Sequence, residues 1–264
     1  MKRLATILDK GINVVKGLSN EESNLIMKHI EQVHALRRKV LQFQQILNIF
    51  QDIKVTITNN PQNLSRLISE MLSNFRAFLD YWETSLKKEF NKNSIQVQSF
   101  KKATSFEYDN MFDYRFVYEL RNYIQHCGMP NFLVKSILDI NENKIYEVAL
   151  NPKELLNNFN WKPSVRKDLE NRKTMINLLE TFSNMIKSVE RINNIALNCY
   201  DIKDCIKSCS FILSYEKYRI EKSTLAIIEF PKGYPEKLDG KLSVQELPFA
   251  LAKHFIEQIN IYER

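Results

Sequence analysis

The sequence predicts a mainly α-helical protein: an antiparallel helical bundle with a small β-hairpin insertion and a short strand–helix C-terminal tail. Three observations point there. Glycine and proline number only 5 and 7 in 264 residues. Sandwiches, barrels and propellers need many tight turns, so this scarcity argues against them. Long stretches carry apolar residues three and four apart, the period of a helix face. Hydrophobic residues make up 44% and charged residues 26%, enough for a sizeable core and too apolar for wholesale disorder.

Taken in order, residues 1–24 read as a short amphipathic start and a loop around Gly17, Ser19 and Asn20. From Ile26 a seam begins. Val33, Leu36, Val40, Phe43, Leu47 and Phe50 alternate spacings of three and four, which suits a bundle helix or a partner helix. Residues 53–58 alternate like a short strand, and Asn59, Asn60 and Pro61 break the chain. A second helix over 62–90 carries Leu64, Leu67, Met71, Phe75, Phe78, Leu79, Trp82, Leu86 and Phe90 at core spacing. Residues 91–108 read as a loop and a short helix. A third long helix runs over 109–127, stopped by Gly128 and Pro130.

Residues 133–150 predict a hairpin with its turn at 141–143. A fourth long helix over 164–198 has Met175, Leu178, Phe182, Met185, Val189 and Ile192 on one face, and a fifth lies near 201–221. The tail reads as a strand from Leu225 to Phe230, a loop to Gly240 and a last helix over 246–262. The expected organisation is an N-terminal helical segment (1–60), a helical core (61–221) and a C-terminal appendage (222–264), or all three packed as one compact domain.

Net charge is +7. It permits a polyanionic partner such as RNA but is spread along the chain rather than gathered in a basic tail. Cys127, Cys199, Cys205 and Cys209 include no Cys-x-x-Cys pair, so free packed thiols in a reducing compartment are expected, with neither a zinc module nor a disulfide scaffold. The apolar stretch after Lys2 and Arg3 is too short for a secretory signal, and no run reaches the length of a membrane span. The expectation is a cytoplasmic protein without membrane contact. Gly-rich phosphate loops, H-E-x-x-H and G-x-S-x-G are absent from the sequence. No metal ligand set and no cofactor are expected. His29, His34 and His254 have no second ligand at metal spacing.

Chemistry concentrates on the third helix. At about 100° per residue from Leu120, the residues Phe116, Val117, Ile124 and Cys127 gather on one buried face. Tyr123 borders it and should be packed. Arg121, Tyr118, Gln125, Asn122, Arg115 and His126 fall on the remaining polar arc. His126 also sits in the last turn, where the helix dipole favours its protonated form. A histidine, an always-charged arginine and an amide suit RNA cleavage by an attacking 2′-hydroxyl. The histidine moves a proton, and the arginine stabilises the phosphorane-like transition state. Arg115 could contact phosphate or pair with Glu119 at i, i+4. Tyr118 could stack on a base, and Gln125 lies beside it. The same residues also suit an ordinary solvated helix end.

Arg121-Asn122-x-x-x-His126 resembles the R-x4–6-H signature of the HEPN superfamily, in which a polar residue, often Asn, follows the arginine. The stretch from Tyr114 to Pro130 also resembles a recurring RNYxQHxGxP-type pattern in bacterial proteins, and the resemblance extends over about 75–131. It implies a helical bundle and a metal-independent endoribonuclease of toxin–antitoxin or anti-phage defence. Arg121 and His126 would be its catalytic pair and Asn122 the supporting polar residue, at a site formed where two copies meet. The implied partners are RNA, tRNA among it, a second copy of the chain, and an antitoxin or defence-complex protein. Some HEPN units are instead non-catalytic interaction modules, and an RNA- or nucleotide-binding regulator is a third reading. The hairpin and the strand–helix tail are additions to a minimal HEPN bundle.

Overall fold

A computed structural model describes residues 1–9, 11–138, 144–200, 202–231 and 242–262. The expected hairpin turn at 141–143 and nearly all of the expected loop at 231–240 lie outside them. The described chain is mainly helical, with small antiparallel sheets. Its contacts group into two units, Met1–Arg38 with Asp201–Arg264, and Lys39–Tyr200. Neither boundary coincides with those expected at 60 and 221.

The first unit departs from the expected amphipathic start and loop. Residues 1–24 hold a hairpin, β1 (Lys2–Leu8) and β2 (Gly11–Gly17), and the start of a helix. Period-2 alternation puts Leu4 and Thr6 on one face and Ala5 and Ile7 on the other. β1 also pairs antiparallel with β6 (Thr224–Glu229), Ala5 facing Ala226, and β6 pairs with β7 (Ser243–Glu246). The sheet order is β2-β1-β6-β7. Strand β6 agrees with the expected strand at 225–230, and β7 is additional.

Helix α1 (Asn20–Asn59) starts at a capping box. Ser19 Oγ accepts from the Glu22 backbone N–H at 3.0 Å, and Glu22 Oε2 accepts from that of Ser19 at 3.0 Å. The strand expected at 53–58 is instead the last part of α1. Ile53 and Ile57, four apart, are both buried, whereas Val55 is exposed. Tertiary burial on a helical period overrides the β-branched run. Ile26, Ile30 and Val33 are buried in the first unit, and Phe43, Ile46, Phe50, Ile53 and Ile57 in the second. Helices α8 (Ile202–Leu213) and α9 (Phe249–Tyr262) complete the first unit, both shorter than expected.

The second unit holds the large core. Pro61–Asn63 form a 3₁₀ turn before α2 (Leu64–Phe90). The expected α2 stripe is buried from Leu64 to Leu86, and Phe90 packs at its margin. Burying each large apolar side chain contributes about 1.5–3 kcal/mol. Helix α3 (Ile95–Asn110) is a full helix rather than the expected loop and short helix, capped by Ser94, whose Oγ accepts from Val97 N–H. Helix α4 (Phe112–Cys127) follows almost directly.

Strands β3 (Phe132–Leu138) and β4 (Lys144–Leu150) form the expected hairpin. The helix expected over 164–198 is broken. Helices α5 (Pro152–Asn158) and α6 (Pro163–Asn171) each start at a proline. Strand β5 (Ile176–Asn177) then pairs with β4, and α7 (Leu178–Leu197) begins there. Asn177 Oδ1 accepts from the Leu179 and Glu180 N–H groups, so this asparagine ends the strand and caps the helix. Trp82 Nε1 donates to Asn193 Oδ1 at 3.2 Å, tying α2 to α7. No helix among the described residues is long and apolar enough to cross a membrane. None of the four cysteines forms a disulfide among the described residues, and Cys209 is buried.

Candidate functional site

Helix α4 forms because an apolar stripe packs on its neighbours. Tyr114, Phe116, Val117, Leu120 and Tyr123 are buried, and α4 packs against α2, α6 and α7. Met111, in extended conformation, precedes the helix, and Gly128 ends it with its N–H donating to the Ile124 carbonyl. Tyr123 is packed as expected, between Phe159 and Trp161. Cys127 departs from the expected buried face. It is exposed, and its thiol donates to the Asn158 carbonyl at 3.0 Å. The last turn of α4 projects past the core, and the apolar stripe ends there.

The polar arc divides into committed and uncommitted residues. Arg115 is committed. Its Nε donates to Asp168 Oδ2 at 2.6 Å, and its Nη1 donates to the Tyr108 and Asp109 carbonyls at the end of α3. That corrects the pairing with Glu119 and occupies the guanidinium expected to meet phosphate. Tyr118 is committed too. Its hydroxyl accepts from Arg76 Nη1, and the Arg76 guanidinium lies over its ring, 5.3 Å from the centroid. A stacking base would have to displace that arginine. Asn122 donates its amide to Glu119 Oε2 at 3.1 Å. It is thus turned towards α4's own interior turn rather than towards His126.

Arg121 is half-buried, and Gln125 and His126 are exposed. None of the three forms a hydrogen bond or ion pair among the described residues. The His126 ring lies nearly parallel to that of Phe159, with centroids 6.2 Å apart. Phe159 in turn meets Trp161 edge-on at 5.2 Å, and the Trp161 indole N–H donates to the Leu155 carbonyl. An aromatic column thus rises from the core to one face of His126. Arg121 and His126 are separated by about 140° around the helix and about 7.5 Å along it, so one copy presents them apart.

The sequence did not single out Glu119. It is buried and accepts from Tyr108 and Asn122, at 3.0 and 3.1 Å. Burial, with Glu119 beside it, pushes the Tyr108 hydroxyl up to about 12. Both residues line an open cleft of about 460 Å³ with Arg76, Tyr114, Tyr118 and Lys162. Arg121, Asn122 and His126 do not line it. The available signal was the i, i+3 spacing of Glu119 and Asn122 on one helix face. Among the described residues, no three His, Cys, Asp or Glu side chains gather as a metal site.

No protein-family model, no curated protein and no solved structure matches this chain. The likeness of the α4 motif to the HEPN signature therefore stands on its own residues.

Proposed function

We propose that this chain is a HEPN-like, metal-independent endoribonuclease, acting as a cytoplasmic toxin or anti-phage effector on RNA. One observation carries the reading. On the polar arc of α4, Arg115, Tyr118 and Asn122 are tied to neighbours, whereas Arg121 and His126, with Gln125 between them, remain accessible and uncommitted to hydrogen bonds or ion pairs among the described residues. A general acid–base histidine and a phosphate-stabilising arginine need that freedom. Their separation on one helix favours a site completed by a second copy. Asn122 acts in this reading as a structural support held by Glu119. Arg115 and Tyr118 hold α4 to α6 and α2 rather than holding RNA.

The test incubates pooled cellular RNA, tRNA included, with purified protein in EDTA. His126→Ala should reduce cleavage by about 10²–10⁴-fold. Products should carry 2′,3′-cyclic phosphate ends, and unfolding free energies should match within about 0.5 kcal/mol, as expected for an exposed side chain. RNA left intact by a folded wild-type chain, or cleaved equally by the variant, would sink the nuclease reading. The second reading, a non-catalytic HEPN-like interaction module in a defence complex, draws support from the exposed apolar residues of β3.

A further inference from the structure

Strand β3 is the edge of its sheet, whose order β3-β4-β5 leaves one side of it unpaired among the described residues. Four of its seven side chains are apolar and exposed, two on each face. Leu133 is 56% exposed, Val134 40%, Ile137 47% and Leu138 67%. An edge of this kind offers a row of backbone donors and acceptors and an apolar surface to a second strand. One charge interrupts it, Lys135. A central lysine usually guards an edge against pairing. Here Glu147 of β4 lies directly opposite Lys135 in the register. Neither forms an ion pair among the described residues.

We propose that β3 is a self-association edge, pairing antiparallel with β3 of a second copy of this chain about a two-fold axis at Lys135. Two-fold pairing requires a strand that complements itself. About Lys135, Leu133 faces Ile137 of the second copy and Phe132 faces Leu138, so apolar meets apolar. Val134 faces Ser136. Across the four strands the central row reads Glu147, Lys135, Lys135, Glu147, and its charge sums to zero. Each lysine keeps a carboxylate neighbour, which offsets the repulsion between the two lysines. The apolar pairs and the neutral row thus both come from one hairpin. No residue of the α4 polar arc takes part, so this interface stands or falls apart from the nuclease reading.

A pair of seven-residue strands is smaller than a standard interface, so association should depend on concentration over about 1–200 µM. Sedimentation equilibrium of the full chain should show the mass rising from 31.3 kDa towards twice that value. Ile137→Lys should weaken association by at least about tenfold at unchanged helicity, because it sets a charge against Leu133. Lys135→Glu makes the row wholly acidic and should weaken it similarly. Lys135→Glu with Glu147→Lys restores a neutral row and should restore association. Lys135→Cys should form a disulfide-linked dimer above the background of the chain's own cysteines, because the paired positions lie within bridging distance. A chain that stays monomeric throughout overturns the proposal and leaves the edge to another partner. A dimer indifferent to Ile137→Lys, or a double variant as weak as Lys135→Glu, overturns it equally.

Discussion

Glu107 is buried on α3 and receives two hydrogen bonds of 2.7 Å from Arg191 of α7, whose side chain is half-exposed. Burial alone would push its carboxyl up. The hydrogen bonds from Arg191 and Ser188 outweigh burial and hold it below the usual 4.5. A carboxyl lowered by folding stabilises the fold above its unfolded value and loses that contribution as pH falls through the folded value. Arg191→Ala removes the main lowering partner and leaves burial to act. The variant should lose about 2–3 kcal/mol at pH 7. That deficit should shrink as pH falls, because protonation of Glu107 removes a contribution that only the wild type has, as read by urea melts between pH 3 and 7. A deficit independent of pH would contradict the assigned cause. The same distinction between free and tied side chains governed what could be read at the candidate site. A helical wheel places Arg121, Gln125 and His126 outside the core without knowledge of the fold. It cannot reveal that Arg115 meets Asp168, 53 residues away, or that Arg76 covers Tyr118. Long-range partners decide which polar residues remain available.

Gly128 ends α4 with φ +81° and ψ −178°, a region essentially closed to other residues. An added Cβ would meet no atom within 4 Å, so the cost of substitution comes from the backbone alone. Gly128→Ala should destabilise by about 1–3 kcal/mol and loosen the last turn of α4, where His126 sits. Urea melts and amide exchange at residues 124–127 check this; unaltered protection there would refute it. Helix ends of this kind were legible, as was the α2 stripe, because the signal lies within one turn of chain. The β1–β2 hairpin was not legible. Its strands are short, and β1 is fixed by β6, more than two hundred residues on. The run at 53–58 misled for the opposite reason. Its local preference for strand is real, but Ile53 and Ile57 gain more by joining the core on a helical period. The break before α7 depends on Asn177 acting as strand end and cap together, which no single propensity displays.

At the scale of the whole chain, the continuous core of the second unit runs from Phe43 to Tyr200. The last part of α1 supplies Phe43, Ile46, Ile49, Phe50, Ile53 and Ile57 to it. A boundary drawn at residue 60, where Pro61 interrupts the helices, would remove all six. At about 1.5–3 kcal/mol for each large side chain, that loss is as large as the whole of the roughly 5–15 kcal/mol that stabilises a typical domain. A boundary at residue 38 removes none of them. It leaves α1 starting at Lys39 without a cap, which costs about 1 kcal/mol. The fragment 39–200 should therefore unfold in one cooperative transition with strong helical dichroism. The fragment 61–221, bounded where the sequence breaks are most evident, should melt gradually and bind hydrophobic dyes. Equal cooperativity in both fragments would mean that α1 is dispensable to this core. The first unit has no such contiguous piece, since β1 and β6 come from opposite ends of the chain. Neither 1–38 nor 201–264 should fold alone, but mixing the two should recover helical signal if strand pairing drives that unit.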